Sequence, residues 1–522
     1  MNAWIRYLGS ADGFVGRRRT AASLTILLLW LAGIILVSCR HEFWRDEVRA
    51  LSLALEPAWF WQVPAALRNE GHPVLWYWML RAAHVVFRTP LVLPIVSIAV
   101  AFAGVLVFFR YSPFPLWQKL LFLAGVLPSY QYSVMCRNYG ISMLLFFSFA
   151  ALYPRRREQP LLLGVVTAAL ANTNAHACLL SGLLCGLWFW DDVVAGWGAL
   201  DRRRALLLAG AWAVAASGIV GAVATCLPGE ETIVTKVHAL TTSDVVAALG
   251  ENARHPGWRF GQMFDDQPVW LRDGMLWLLA AGLLAHGPAA LLFLAGNILL
   301  GAFFSAVYGS ALRHEGLLLL YLLTLYWIVR QEAPRAPETG AKRWFGLLHK
   351  CVLFLPLTAL LAVQVKLAFV AVRDDVRRSR SSSRAFAEFI AQHAGYRDAI
   401  LVGEPDSRLE SMPYYVDNRI YIPREGVFRR FVQFTSASRK DLSLHDLLVC
   451  VRELQDRERA AVLLALGHMN LAGRKTREVE LFYGRAFTWS PEELAEFRSA
   501  TIKVAEFTSV LTDEEYEIYV LR

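Results

Sequence analysis

The sequence has 522 residues, of which 56% are hydrophobic and 19% are charged. Ordinary globular domains are less apolar and about one quarter charged, so this composition excludes a typical soluble protein and indicates an integral membrane protein. The formal net charge of +9 does not predict a nucleic-acid partner. The arginine clusters lie between apolar segments, where membrane topology explains them.

Eleven apolar segments are predicted to span the membrane, although several are short for a hydrocarbon core about 30 Å thick. The first also resembles a secretory signal, because it follows three arginines and ends in the lipoprotein-like LVSC. Its roughly twenty apolar residues exceed the roughly 7–15 of a signal peptide, so we interpret it as a span. In chain order the segments are 20–39, 91–109, 118–128, 139–153, 161–172, 174–190, 205–226, 270–285, 289–308, 315–330 and 346–372.

A further apolar segment, 71–87, decides the topology of everything after it. If it does not cross the membrane, the triple-arginine loops at 155–157 and 202–204 lie in the cytoplasm, as the positive-inside rule requires. We therefore predict a juxtamembrane or re-entrant helix at 71–87, within one long external loop over 40–90. The same distribution of arginines predicts a multi-pass protein of the bacterial inner membrane with a cytoplasmic N-terminus and an external C-terminus.

The chain is predicted to have two domains, a transmembrane domain over 1–372 and a soluble domain over 373–522 on the periplasmic or extracellular side. Helical and strand patterns alternate in the second domain, which predicts a small α/β fold. The patterns are SSSRAFAEFIAQHAG for a helix, DAILVG and NRIYIP for strands, and LHDLLVCVRELQDRERAAVLLAL for a helix followed by a strand.

The seven cysteines are scattered, odd in number and without a C-x-x-C pair, so neither a disulfide framework nor a zinc site is predicted. They are Cys39, Cys136, Cys178, Cys185, Cys226, Cys351 and Cys450.

Charges of both signs crowd the stretch HEFWRDEVRALSLAL, residues 41–55, directly behind the first span. Charged residues at an interface are usually solvated or snorkelling. Asp46 and Glu47 are adjacent, however, so on a helix they diverge by about 100° and cannot both be merely surface-facing. The leucines that follow would dock this helix on the bundle. The same loop contains NEGHPVLWYW, in which a Gly-His-Pro turn presents His72.

The order of a first helix, FWRDE and then NEGHPVLWYWML resembles the first external loop of the GT-C glycosyltransferases. This superfamily includes protein O-mannosyltransferases and the aminoarabinose and galacturonic acid transferases of lipopolysaccharide. The resemblance covers roughly 1–372 and implies an enzyme that moves a sugar from a polyprenyl-phosphate donor on the outer face of the membrane. Asp46 matches the catalytic position of the family, and Glu47 is the alternative. The acceptor would be an envelope glycan, a glycolipid or a protein.

The chemistry of such a transfer agrees with these residue types. Inversion at the sugar needs one carboxylate to take the acceptor proton, without a second carboxylate as nucleophile. The phosphate leaving group needs positive charge, preferably from arginine. The second external loop, PSYQYSVMCRNYG, supplies Arg137 and Tyr139, and it lacks the acidic residue that many relatives carry there. The sequence therefore requires no cofactor and leaves a divalent metal open.

Three further candidates lie at external helix ends. His176 lies in the stretch ANTNAHACLL, at the next external turn, where a hydrogen-bonded interfacial histidine is the alternative to a catalytic one. Arg313 and His314 stand ahead of a late span, where relatives carry arginine for the lipid phosphate. For Arg313 the alternative is interfacial anchoring, the usual role of a terminal arginine.

Two other functions compete with the enzyme. A transporter or flippase of a lipid-linked glycan would show polar groups near the bilayer midplane. Only Lys366 interrupts the otherwise uncharged middle of the spans, and the candidate residues cluster at one face. A membrane anchor that presents its tail to a partner would leave the first-loop acids unexplained.

Overall fold

A computed structural model describes residues 13–196, 201–233, 240–332, 341–467, 469–471, 478–508 and 510–522. The predicted cytoplasmic segments at 1–12, 197–200 and 333–340 lie outside the described residues.

Each of the eleven predicted spans coincides with a helix. Seven of the described helices are long and apolar enough to cross a membrane, by length and composition alone. The other four are 9 to 14 residues long. The helices at the predicted spans are Gly13–Arg40, Val92–Tyr111, Leu116–Ala124, Tyr139–Leu152, Pro160–Ala171, Ala175–Phe189, Arg202–Cys226, Val269–Ala281, Gly287–Ala306, Leu312–Glu332 and Ala341–Arg377.

Leu312–Glu332 is the central helix of this bundle, because almost all of its length from His314 to Val329 is buried. Aromatic rings of neighbouring helices pack on it, including Phe108 and Phe147 against Trp327. The first span is also apolar on all sides, as a membrane span can be, but it is only 11% buried and lies at the outside of the bundle.

The 40–90 segment, which was predicted to be external, forms two packed helices, Arg45–Leu55 and Leu75–Phe87, with a short helix Val63–Ala66 between them. Arg45–Leu55 has one apolar face that includes Val48 and Leu51, and this face is buried. The 71–87 segment thus forms a helix of 13 residues that packs on its neighbour in the same segment. A further helix, Thr242–Arg254, lies between two of the predicted spans.

The C-terminal region is a separate α/β domain, as predicted. A six-stranded sheet has the order β3-β2-β1-β5-β9-β8, and a three-stranded sheet has the order β4-β7-β6. β1 pairs in parallel with β2 and β5. The strands are β1 Ile400–Glu404, β2 Ile420–Ile422, β3 Val427–Phe428, β4 Asp441–Ser443, β5 Val462–Gly467, β6 Glu478–Leu481, β7 Arg485–Thr488, β8 Thr501–Phe507 and β9 Tyr516–Leu521.

The central strands β1 and β5 are buried along their whole length, which explains their continuous apolar sequences. Three helices accompany the sheets: Ser383–Gln392, Leu444–Glu458 and Pro491–Ala500. The predicted strands and helices of this domain are confirmed. The predicted boundary at 372 falls inside a helix that continues to Arg377.

The C-terminal domain is docked on the 40–90 segment by partly buried polar contacts. The Arg45 guanidinium donates to both carboxylate oxygens of Asp513 at 2.5 and 3.2 Å. The Arg45 backbone N–H donates to Glu514 at 2.7 Å. Arg49 donates to Glu410 at 2.6 Å. Because Glu514 accepts at the first turn of the Arg45–Leu55 helix, the C-terminal domain caps that helix.

Candidate active site

A cavity of about 820 Å³ lies between the 40–90 segment, the membrane helices and the C-terminal domain. Binding cavities for small molecules are roughly 300–1,000 Å³. One part of its wall is polar and includes Asp46, Asn69 and His72. Another part is apolar, formed by Leu179, Ile219, Val223, Leu227 and Phe303 among others.

Asp46 faces this cavity because of the way its helix packs. The Glu47 side chain is fully buried, and adjacent residues on a helix point about 100° apart, so Asp46 is turned outward. The Asp46 side chain is 30% exposed. The first of the predicted catalytic residues therefore lies on the cavity wall.

Two arginines from distant parts of the chain meet at Asp46. Arg137 donates to the Asp46 carboxylate at 2.5 Å, and Arg313 lies 3.6 Å from the same oxygen. Burial alone would raise the pKa of Asp46, but Arg137, Arg313 and Arg45 outweigh burial and lower the pKa to about 2. Asp46 is therefore a carboxylate at any physiological pH.

Glu47 does not line the cavity. Its carboxylate contacts the His41 ring at 3.1 Å and accepts from the backbone N–H groups of Cys136 at 2.7 Å and Trp44 at 3.3 Å. His41 in turn contacts Asp375 at 2.8 Å. The expectation that Glu47 could replace Asp46 does not agree with this geometry, because its oxygens are used to hold the loop and the last helix together.

Three predicted histidines line the same cavity. His176 and His314 stack with their ring centroids 4.9 Å apart, and both are buried. Within the described part of the chain, neither nitrogen of His176 has a hydrogen-bond partner, nor does Nδ1 of His314 or of His72. Buried polar atoms without partners are unusual in proteins, so these nitrogens are available to a bound molecule.

His72 is positioned by the turn that precedes its helix. Gly71 has a φ of +65°, a conformation that favours glycine, and Pro73 follows. Burial and the neighbouring Arg137 lower the pKa of His72 to about 3, so its imidazole is neutral. It can donate or accept one hydrogen bond, but it does not add positive charge.

Tyr139 is placed behind the cavity wall instead of on it. Its ring lies 5.7 Å from the rings of both Tyr132 and His314, and it is fully buried. Tyr139 thus supports the stacked histidines and is not among the lining residues.

Several lining residues were not predicted. Arg49 stands one helical turn after Asp46, and its charge was visible in the sequence. Four others come from the C-terminal domain, where nothing local marks them: Ser407, Glu410, Phe434 and Tyr483. Only the docking of the domain brings them to the cavity.

Among the described residues, the one group of three metal-type ligands that lie close together is Asp191, His286 and Glu332. It belongs to the opposite end of the bundle, because Glu332 ends the helix that begins beside His314. These side chains already have partners: Asp191 accepts from Tyr153 at 2.7 Å and contacts His286 at 3.0 Å. None of these three side chains lines the cavity.

No family model and no curated protein matches the sequence. The structure is similar to the crystal structure of ArnT from Cupriavidus metallidurans in the apo state. The similarity covers 97% of this chain and 98% of that chain, with a TM-score of 0.47 and 11% sequence identity.

Proposed function

We propose that the protein is an inverting glycosyltransferase that moves a monosaccharide from a polyprenyl-phosphate donor to a hydroxyl of an envelope glycan, glycolipid or protein. The observation that carries this proposal is the meeting of Asp46, Arg137 and Arg313 on the wall of a cavity that has one polar and one apolar side. It rests also on the first-loop resemblance to GT-C enzymes.

The apolar wall supports a donor carried by a lipid. Val223 and Leu227 line the cavity and remain 46% and 57% exposed, so this side is open. A polyprenyl chain entering here would lie along apolar side chains. Its phosphate would then reach Arg137 and Arg313, which can bind it with charge-assisted hydrogen bonds.

In the proposed reaction, the Asp46 carboxylate takes the proton of the acceptor hydroxyl. The hydroxyl oxygen attacks the anomeric carbon, and the bond from that carbon to the phosphate oxygen breaks. The electron pair stays on the polyprenyl phosphate, and the arginines stabilise the charge that develops there. Atoms and charge balance without a cofactor.

Donor binding would also activate the base. A carboxylate with a pKa of about 2 is a weak base, and its two arginine partners cause this weakness. A donor phosphate competes for those partners, and burial then raises the pKa of Asp46. Base strength would therefore rise only when the donor is in place.

The alternative of a flippase would need a path through the bundle. The helices that carry His176 and Arg313 lead to the hydrogen-bonded group of Asp191 and His286 at their other end. That arrangement favours an enzyme that works at one face.

The test uses purified protein in nanodiscs with a polyprenyl-phosphate sugar in one reaction and a nucleotide sugar in another. We expect transfer from the lipid donor only, and its loss in Asp46→Asn by roughly 10²–10⁴ in rate. Asp265→Asn is the matched control, because Asp265 pairs with Lys366 and does not line the cavity. Transfer from the nucleotide sugar alone, or lipid movement without transfer, would overturn the proposal.

A further inference from the structure

Two aromatic residues on the cavity wall have backbone conformations that side chains rarely adopt. Phe434 has a φ of +48° and Tyr483 a φ of +63°. In a bulky residue this conformation is an outlier. The remaining such residues in the described ranges are polar or charged: Arg88, Asp265, Asp266, Arg459 and Asn470. Strain of this kind persists where the surrounding structure enforces it, often at ligand clamps.

Phe434 and Tyr483 come from different loops and meet at the cavity. Phe434 lies between β3 and β4, and Tyr483 lies in the turn between β6 and β7, followed by Gly484 with a φ of +67°. Their ring centroids are 5.0 Å apart with the planes at 72°. The strained backbone of each loop therefore brings a ring to one shared corner.

The two rings differ in exposure. The guanidinium groups of Arg49 and Arg485 lie 5.6 and 5.4 Å from the Phe434 centroid, so cation–π contacts hold this ring. Tyr483 is 39% exposed. The corner thus combines a ring held by two arginines with an exposed ring at 72° to it.

This corner suits a ring that has both apolar and polar edges. The C–H faces of a pyranose can pack on an aromatic ring, while its hydroxyls need hydrogen-bonding groups. Ser407 and Asn69 lie on the same cavity lining. The arginines behind Phe434 already pair with carboxylates, Arg49 with Glu410 and Arg485 with Asp406, so they are not placed to attract an anion.

We propose that Phe434 and Tyr483 form a carbohydrate platform that binds a sugar ring of the acceptor. The assignment of this sugar ring to the acceptor rests on the proposed function. The proposed base Asp46 takes its proton from the acceptor, and Phe434 and Tyr483 line the same cavity as Asp46. The acceptor is therefore a glycan or glycolipid, recognised through its sugar.

The test measures saturation-transfer NMR from full-length protein in nanodiscs to octyl β-D-glucopyranoside, below its micelle concentration. We expect transfer to the ring C–H protons in the wild type and its loss in Tyr483→Gly. Glycine accepts a positive φ without strain, so the thermal midpoint of this variant should not fall. If Tyr483 served only in packing, Tyr483→Gly would keep the sugar signal and lower the thermal midpoint.

Two control variants match the two properties of Tyr483, its positive φ and its exposed aromatic ring. Arg459→Gly relieves the same backbone conformation away from the cavity, at the end of the Leu444–Glu458 helix. Phe428→Gly removes an exposed aromatic ring of β3 that does not line the cavity. Both should retain the sugar signal. In turnover assays Tyr483→Gly should raise the acceptor KM roughly ten-fold with little change in the donor KM, the size expected for losing an aromatic anchor.

Unchanged sugar signal in Tyr483→Gly would overturn the platform, and so would its absence in the wild type. Equal, Tyr483-dependent saturation transfer to octyl tetraethylene glycol would also overturn the platform, because the corner would then bind the alkyl chain and not the sugar. If no lipid-linked sugar supports transfer but the sugar signal still depends on Tyr483, the proposed function fails and the carbohydrate platform stands.

Discussion

Arg137 is the residue whose removal tests the proposed site most directly. Its guanidinium is 2.5 Å from the Asp46 carboxylate, whereas that of Arg313 is 3.6 Å away. If a donor phosphate takes over this contact, Arg137→Ala removes a charge-assisted hydrogen bond worth about 1.5–3 kcal/mol. That loss corresponds to roughly 10–150-fold in the donor KM. Arg313→Ala should cost less, and Arg313→Lys should recover only part, because lysine lacks the bidentate fork.

The same variant should change the pH dependence of the reaction. Arg137 is the largest of the charges that lower the pKa of Asp46 to about 2. Without it, that pKa rises toward or above its ordinary value of 3.8, because burial also raises it. Asp46 acts as a base only when it is deprotonated. As the solution is acidified, Arg137→Ala would therefore lose activity at a higher pH than the wild type.

The assay measures kcat and the donor KM of purified protein in nanodiscs between pH 4 and 8. Arg419→Ala is the control, because Arg419 pairs with Glu458 on the surface of the C-terminal domain. An unchanged donor KM and an unchanged acid limb in Arg137→Ala would refute the reasoning, since both follow from the contact with Asp46.

Four further predictions concern stability, positioning, the lipid site and topology. Burial opposes the charge on His41, but its carboxylate neighbours outweigh burial and raise its pKa from 6.5 to about 9. This stabilisation is complete below pH 6.5 and is lost as the pH rises through 9. At pH 7, His41→Ala should therefore lower the free energy of unfolding by about 3–5 kcal/mol, with a corresponding fall in the thermal midpoint. At pH 10 the fall should be smaller. Glu514→Ala removes the cap of the helix that carries Asp46, worth about 1 kcal/mol, and should lower kcat. Saturation transfer to octyl β-D-glucopyranoside should persist in this variant. Polyprenyl phosphate should slow maleimide labelling of Cys226, which lies on the apolar wall. A reporter fused after Arg522 should be active only outside the cytoplasm.

The controls for these predictions use the same chain. Cys450 in the C-terminal domain should label at the same rate with and without polyprenyl phosphate, since it does not line the cavity. Equal loss of midpoint by His41→Ala at pH 7 and 10 would contradict a charged His41. Unchanged kcat in Glu514→Ala would show that the C-terminal domain does not position the base. A cytoplasmically active reporter after Arg522 would reverse the topology.

The sequence by itself determined the helices and the separate α/β domain. Apolar runs and their length predict spans, because the bilayer admits little else. All eleven predicted segments are helical, and β1, β2 and β5 occur where alternating and apolar runs placed them. These properties are local, so each can be read within about twenty residues.

Only the tertiary structure decided which side chains share the cavity. Asp46 and Glu47 were known to diverge, but packing decided that Glu47 faces His41 and that Asp46 faces the arginines. The lining residues of the C-terminal domain, such as Tyr483, lie more than 350 positions from Asp46. Their place depends on the docking contacts of Arg45 and on backbone conformations that single-residue preferences oppose. Such contacts are set by the packing of distant surfaces, which no local pattern encodes.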